Sequence, residues 1–271
     1  MQENRKSDTY EEDMKRLQRL RPMDDDFMRC MFKNNMPLAQ KVLRVLLNNS
    51  DLKLVKLETQ VDMKRLLGAR SVCLDALGED AEGKLYNLEI QKDDKGAGPY
   101  RARYHSSVMD VENLSSGEDF EELPETYVIF ITEKDIYEEG LSVYPIERMN
   151  VRSGKPFADG EHILYVNGAY RGNDDIGKLM HDFSCANADD MYDADMAEAT
   201  RYYKESEKGV TSMCKVFDEI REEGREEGEI KGRVDIALEL IELGEDSYEK
   251  IAKVTKLSLE KVKELATEVP A

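Results

Sequence analysis

The chain has 271 residues, enough for one sizeable core and an appendage, and 40% of them are hydrophobic. No apolar run approaches the about 20 residues that a membrane-spanning helix needs, so we expect no membrane association. The net charge of −19 disfavours contact with nucleic acid, because proteins that bind nucleic acid usually offer a basic surface. Much of the acid, however, falls in residues 174–198 and 219–229, which leaves room for a basic groove elsewhere.

Cysteine usage and the N-terminal sequence bear on the compartment. The four cysteines are far apart and form no CxxC pair, which argues against structural zinc and fits free thiols in a reducing environment. The first twenty residues are polar and charged and lack the apolar run of a secretory signal. We therefore expect a cytoplasmic protein.

The N-terminal part predicts a polar arm followed by helices. Residues 1–23 are interpreted as a frayed polar arm with some helical character. The acids at 24–26 offer a helix N-terminal cap, and apolar residues then recur at roughly helical spacing as far as Leu47. Pro37 is expected to break this segment into two pieces.

Three strand-like runs follow, at residues 52–57, 71–77 and 84–91. The residues between the second and third runs are typical of a turn, so an antiparallel hairpin is expected. A helix is then predicted over 100–114. The continuous apolar run at 127–132 is typical of a buried strand. Further strands are expected near 141–144 and at 162–166.

From Ile176 onward the sequence predicts helices. Gly224, Gly228 and Gly232 recur within a stretch rich in Glu, Arg and Lys, and each glycine costs about 1 kcal/mol relative to alanine in a helix. This stretch is therefore an exposed helix, a hinge or a linker. The last residues predict a compact helical unit that superficially resembles a helix-turn-helix, although its interleaved glutamates favour packing or oligomerisation.

The candidate chemistry lies on the predicted hairpin. Asp75 is central in its second run, while Glu89 and Gln91 lie in the third. Because side chains alternate along a strand, Glu89 and Gln91 share a face, and hairpin pairing can bring Asp75 near Glu89. Two carboxylates within about 5 Å repel each other unless a cation lies between them. Hard oxygen ligands of this kind suit Mg²⁺ or Mn²⁺.

A cation at this position would activate water against a phosphodiester and offset charge in the transition state, and Gln91 could orient the water or the phosphate. The alternative interpretation is that these acids are simply solvated on an edge hairpin. Two observations favour the first: the predicted order of elements, and the apolar residues that flank the acids, namely Val72, Leu74, Leu85, Leu88 and Ile90.

The arrangement of Asp75 and Glu89-Ile90-Gln91 within the order helix, three strands, helix, strand resembles the PD-(D/E)XK nuclease core. The fuller similarity is to its transposase-like branch, the recombination-promoting nuclease or Rpn family. It covers most of residues 24–271 and is carried by the ordered phrases DDDFM, LDALGEDAEGKLYNLEIQ, RARYHSSVMD, YVNGAY, IGKLMHDFSC and EKGVTSMC.

The resemblance implies an α/β, restriction-endonuclease-like core with an α-β-β-β-α-β mixed sheet and an α-helical C-terminal tail. The expected division is an arm (1–23), the nuclease-like core (24–172), a helical extension (173–218), the Gly/Glu-rich segment (219–233) and a small helical unit (234–271). The implied function is a Mg²⁺- or Mn²⁺-dependent DNA endonuclease linked to recombination or mobile elements.

The resemblance also assigns roles to residues. Asp75 and Glu89 match the two metal-binding acids, and Gln91 stands where the superfamily usually has a catalytic lysine. Glutamine cannot supply the positive charge of lysine. Arg101 and Arg103 on the following helix are candidates to supply it and to bind substrate, and Tyr104 could share the face of Arg101. The alternative for these three is a solvated helix face.

A second hypothesis, from the net charge and the missing lysine, is a weak or inactive nuclease fold that binds or assembles through its helical tail. Homo-oligomerisation through that tail fits either hypothesis. The three histidines lack a metal-ligand spacing, and His181-Asp182 is assigned to packing and capping. Asp26 is interpreted as part of a helix cap rather than as a metal ligand.

Overall fold

The computed structural model describes residues 2–63, 72–92, 94–244 and 247–268. The chain divides into two compact units, Met1–Met213 and Cys214–Ala271. The first contains a six-stranded mixed sheet with helices, and the second is helical. This architecture confirms the predicted fold class, while the finer division of the chain stays a prediction. None of the described helices is long and apolar enough to cross a membrane.

Three helices precede the sheet: α1 (Gln2–Arg19), α2 (Asp25–Phe32) and α3 (Met36–Leu46). Asp24 occupies the N-cap position of α2, and Pro37 lies in the first turn of α3, where a missing N–H is tolerated. The expected frayed arm is instead a helix of eighteen residues. Its end is anchored because the Leu17 side chain is fully buried and Met23 follows it into the core.

The sheet has the order β1-β2-β3-β4-β8-β5. The strands β1 to β3 are antiparallel neighbours, β3, β4 and β8 run parallel, and β5 pairs antiparallel with β8. A separate two-stranded sheet joins β6 to β7. The bounds are β1 Leu54–Met63, β2 Val72–Asp80, β3 Leu85–Gln91, β4 Thr126–Thr132, β5 Val143–Ile146, β6 Met149–Asn150, β7 Lys155–Pro156 and β8 Glu161–Asn167.

The predicted hairpin is present, but β2 continues to Asp80, so the turn is shorter than the sequence suggested. Residue 71, the expected start of this strand, lies outside the described residues. The helix α4 (Pro99–Asn113) makes the crossover between the parallel strands β3 and β4. One apolar cluster contains residues of α4 and of the sheet, among them Ala102, Met109, Leu74, Val128, Phe130 and Tyr165.

Helices follow the sheet, as predicted: α5 (Asp175–Ser184), α6 (Ala194–Glu205) and α7 (Glu207–Glu242). The side chain of Asp174 accepts the backbone N–H of Gly177 at the start of α5. The three glycines of the Gly/Glu-rich segment lie inside α7, which is one continuous helix. Within the described residues this segment is therefore helical and not a linker.

The second unit is completed by α8 (Tyr248–Thr255) and α9 (Leu259–Glu268). Its core contains Ala237 of α7, Ile251 of α8, and Val262 and Leu265 of α9. Lys256 ends α8 in the left-handed conformation, with φ of 57°, which turns the chain between the two short helices.

Lys204 is a buried cation in the first unit that links separate chain segments. Its Nζ donates to the carbonyl oxygens of Gln18 (3.1 Å), Leu20 (2.6 Å) and Ala186. It also lies 5.4 Å from the centroid of the Phe27 ring. Lys204 therefore satisfies carbonyls at the end of α1 and fixes that end against the segment after α5.

We expect Lys204→Met to lower the free energy of unfolding by about 2 kcal/mol or more, because buried carbonyls would lose their donor. Urea denaturation followed by circular dichroism measures this. Lys208→Met, at an exposed position on α7, is the matched control and should change stability little. Equal stability of the two variants would contradict the role assigned to Lys204.

Candidate active site

Asp75 and Glu89 meet where β2 and β3 separate. The backbone ladder runs from the pair Glu79 and Leu85 to the pair Ala76 and Leu88. At the next position the two carboxylates replace backbone carbonyls as the acceptors. The Asp75 N–H donates to Glu89 Oε1 (3.2 Å), and the Ile90 N–H donates to Asp75 Oδ2 (3.3 Å). The structure thus brings together the two acids that strand alternation predicts to share a face.

Both acids are withdrawn from solvent, with Asp75 9% exposed and Glu89 0% exposed. Burial raises the pKa of Asp75, and burial followed by the charge of Asp75 raises the pKa of Glu89. Two adjacent buried carboxyls disfavour their joint ionisation, and a dication between them would remove that penalty. The oxygen donors fit Mg²⁺ or Mn²⁺.

This pair should make the stability of the metal-free protein depend on pH. Burial raises the pKa of Asp75 to about 6 and, together with Asp75, that of Glu89 to about 8. Unfolded carboxyls titrate near ~4. Because the folded values are higher, the stabilisation is complete below about pH 4 and is lost progressively as pH rises from about 4 to about 8, where both folded carboxyls have ionised.

We therefore expect Glu89→Gln to remove most of the loss of stability with rising pH. The Tm of the metal-free variant near pH 8 should be higher than that of the wild type by about 4 °C or more. Glutamine keeps an acceptor for the Asp75 N–H but carries no charge. Scanning calorimetry across this pH range provides the measurement. A variant Tm that falls with pH as steeply as that of the wild type would contradict the raised pKa of Glu89.

Arg101 on α4 joins Glu89 to Gln91. Its Nη2 is 3.3 Å from Glu89 Oε2, and its Nη1 donates to Gln91 Oε1 (3.4 Å) and to the Gly96 carbonyl (3.2 Å). Its Nε donates to His105 Nε2 (3.2 Å). A guanidinium therefore lies beside the acids and Gln91.

His105 and Asn87 are site neighbours that the sequence reasoning missed. Both are buried, and Asn87 Nδ2 lies 3.1 Å from His105 Nδ1. Burial, and then the charge of Arg101, lowers the pKa of His105 to about 4, so the ring is neutral at pH 7. Since Arg101 can only donate, His105 accepts at Nε2 and carries its proton on Nδ1.

Among the described residues, Asn87 Oδ1 is buried without a hydrogen-bond partner. The Asn87 side chain also hydrogen-bonds Glu89, and His105 Nδ1 lies 3.6 Å from Glu89 Oε1. Asn87 and His105 therefore line the buried carboxyl of Glu89, and His105 fixes the guanidinium of Arg101. Spacing in the sequence could have indicated both residues. His105 is four residues after Arg101 on a helix, and Asn87 is two before Glu89 on a strand, so each shares a face with a site residue.

The other two predicted substrate-binding residues lie apart from these contacts. Arg103 is exposed, with its guanidinium carbon 5.5 Å from the centroid of the Tyr100 ring. Tyr104 packs against the apolar cluster that includes Ala102. Of the three candidates on α4, Arg101 is therefore the one that the structure brings to the two acids.

The helix α2 borders the site from another direction. Asp26 lies in the first turn of α2, after Asp24 at the N-cap position, and forms ion pairs with Arg29 and with Arg16 of α1. Burial opposes the change, but the carboxylates of Asp75, Asp26 and Asp25 raise the pKa of Arg29. This coupling puts Arg29 within electrostatic reach of the site.

A family model described as PD-(D/E)XK nuclease family transposase matches residues 27–168, slightly more than half of the chain. The chain belongs to this family. The match spans most of α2, all of α3 and α4, and the strands β1 to β8, and it includes Asp75, Glu89, Gln91 and Arg101. The resemblance found in the sequence is confirmed. No curated protein and no solved structure matches the chain.

Proposed function

We propose that this protein is a divalent-metal-dependent DNA endonuclease that hydrolyses phosphodiester bonds, with Mg²⁺ or Mn²⁺ held by Asp75 and Glu89. The observation that carries the proposal is the convergence of these two buried carboxyls where the β2–β3 ladder opens. Membership of a nuclease family supports the reaction class. A bound cation would lower the pKa of a water and polarise the scissile phosphate.

The remaining residues are assigned by what they can donate. Gln91 can orient the attacking water or a phosphate oxygen through its carboxamide. Arg101 supplies the positive charge that Gln91 lacks and donates to the anionic phosphate in the transition state. His105 positions Arg101. Arg103, exposed on the same helix, is suited to a phosphate farther along the DNA, and Tyr104 supports α4 from the core.

Gly96 gives a test of the role of Gln91. A Cβ at position 96 would lie 1.9 Å from Gln91 Oε1, so alanine must displace the carboxamide. We expect Gly96→Ala to lower the cleavage rate about 10- to 100-fold with little change in Tm. Gly98→Ala is the matched control: within the described structure nothing lies within 4 Å of its Cβ position. Equal cleavage by both variants would argue against Gln91.

The proposal places the activity in recombination or mobile-element DNA metabolism, and this part rests on the family alone. Self-association would run through the Cys214–Ala271 unit, where Ile236, Leu243 and Val254 are exposed apolar residues. Sedimentation of the full chain and of a Leu243→Glu, Val254→Glu variant tests this: an oligomer that the variant does not disrupt would refute the assignment.

Cleavage of supercoiled plasmid by the purified protein tests the main proposal. We expect nicked or linear product with Mg²⁺ or Mn²⁺, and none after chelation. Calorimetry with the same cations is run in parallel. If no cation binds and no DNA is cut, the proposal fails, and the alternative of a non-catalytic binding or assembly protein on a nuclease fold takes its place.

A further inference from the structure

A second group of potential metal ligands lies at the C-terminal end of α5, on residues that nuclease chemistry does not use. The Nδ1 atom of His181 is 3.1 Å from Asp182 Oδ1 and 3.6 Å from Cys185 Sγ. One donor atom from each of the three residues lies within 4.8 Å of the others. The sequence assigned His181 and Asp182 to packing and capping, and Cys185 to the free thiols.

The three side chains are held before any ligand arrives. His181 and Cys185 are four residues apart and face the same side of the chain. Asp182 is 1% exposed, and its two oxygens accept the N–H groups of Tyr192 and Asp193, each at 2.8 Å. Backbone donors of this kind commonly orient a ligating carboxylate from outside the coordination sphere. The ring of Tyr192 lies 4.5 Å from that of His181.

The donor types and spacings select a class of metal. Zinc binds imidazole at about 2.0–2.1 Å and thiolate at about 2.3 Å, so tetrahedral ligands lie roughly 3.3–3.6 Å apart. The separations from His181 Nδ1, 3.1 Å and 3.6 Å, are close to this range. Nitrogen and sulfur donors suit Zn²⁺ or Co²⁺, in contrast to the oxygen pair of Asp75 and Glu89.

The surroundings of these three residues allow a metal ion to enter from solvent and to take a further ligand. His181 and Cys185 are partly exposed, which gives an ion a route from solvent. The Asp190 carbonyl oxygen lies 3.8 Å from Cys185 Sγ, on the segment that Asp182 holds through the neighbouring Tyr192 and Asp193. An ion bound here would therefore join the end of α5 to the segment that leads into α6.

We propose that His181, Asp182 and Cys185 form a site for one zinc-class transition metal ion, independent of the nuclease site. On binding, the Cys185 Sγ–H bond gives its proton to solvent and the thiolate forms a bond to the metal. His181 contributes the Nδ1 lone pair, and Asp182 one carboxylate oxygen. The ion undergoes no redox change. Because Asp182 also holds the Tyr192 and Asp193 N–H groups, the bound ion stabilises the folded chain around residues 181–193.

Titration of Co²⁺ into the full chain carrying Asp75→Asn and Glu89→Gln tests the proposal without interference from the nuclease site. We expect a thiolate-to-Co²⁺ charge-transfer band that saturates at about one equivalent, as one three-ligand site requires. Cys185→Ser should abolish the band. Cys73→Ser, which removes an exposed thiol two residues from Asp75, should leave it unchanged.

His181→Gln is the second ligand variant and, like Cys185→Ser, should abolish the band. Circular dichroism verifies that each protein is folded. We also expect Zn²⁺ to raise the Tm of the parent protein and not that of Cys185→Ser, because only a bound native state gains stability. Absence of the band in the parent, or its persistence in Cys185→Ser, would overturn the proposal. Neither result depends on whether the protein cuts DNA.

Discussion

Asp75→Asn is expected to lower the rate of DNA cleavage about 1000-fold and to abolish Mn²⁺ binding. A metal ion contributes several kcal/mol of charge stabilisation to phosphoryl chemistry, and each ~1.4 kcal/mol corresponds to tenfold in rate. Asparagine keeps the shape of the side chain and an acceptor for the Ile90 N–H, but it loses the negative charge that, together with Glu89, would hold the cation.

Single-turnover cleavage measures the rate, and calorimetry measures Mn²⁺ binding. Asp51→Asn is the matched control, because Asp51 is an exposed acid in the turn before β1. It should leave both quantities unchanged. The Asp75 variant should fold normally and be at least as stable without metal, since its buried side chain is neutral. Cleavage at the wild-type rate would assign the activity to another site or to a contaminant.

Arg101→Met should lower the cleavage rate about 100- to 1000-fold, the effect of removing one donor that stabilises an oxyanion. The affinity for Mn²⁺ should stay the same or rise, because the guanidinium that now lies 3.3 Å from Glu89 Oε2 competes with a cation for that oxygen. A loss of cleavage rate without a loss of Mn²⁺ binding distinguishes Arg101→Met from Asp75→Asn.

Arg103→Met provides the matched control on the same helix. It removes the same charge at an exposed position, so we expect a weaker apparent DNA affinity and a shallower salt dependence, with kcat nearly unchanged. A loss of kcat as large as that of Arg101→Met would show that the net charge of α4 matters and not the contact between Arg101 and Glu89.

A double-mutant cycle tests whether His105 acts through Arg101. His105→Phe should lower kcat in the wild-type background and have little further effect once Arg101 is methionine. A purely structural role would give additive effects on Tm and the same loss of kcat in both backgrounds. The cycle therefore separates positioning from packing.

The acid pair was predictable from the sequence because its determinants are local. Period-two alternation and a short turn bring Asp75 and Glu89 to one face, and the apolar run at 127–132 marks the neighbouring strand as buried. The partners of these acids were harder to predict. The sequence offered no metal-ligand spacing for His105 and therefore no role, whereas in the structure His105 accepts a hydrogen bond from Arg101, one helical turn away.

Two features of the fold could not be decided from the sequence, for different reasons. Because α1 is mostly polar, its few buried apolar residues, Leu17 among them, do not form a recognisable pattern. Nothing in the local sequence indicates that Lys204 donates to the carbonyls at the end of α1. In α7, three glycines left an exposed helix, a hinge and a linker as alternatives. The helix nevertheless continues, with ion pairs from Arg225 to Glu222 and Glu229 that offset part of the cost of the glycines.

Anomalous diffraction from crystals of the wild-type protein soaked in Mn²⁺ tests the central assignment most directly. We predict a manganese peak between β2 and β3 within roughly 2.3 Å of a carboxylate oxygen from each of Asp75 and Glu89. A Mn²⁺ peak bound by only one of these side chains, or found solely elsewhere in the molecule, would contradict the shared metal site.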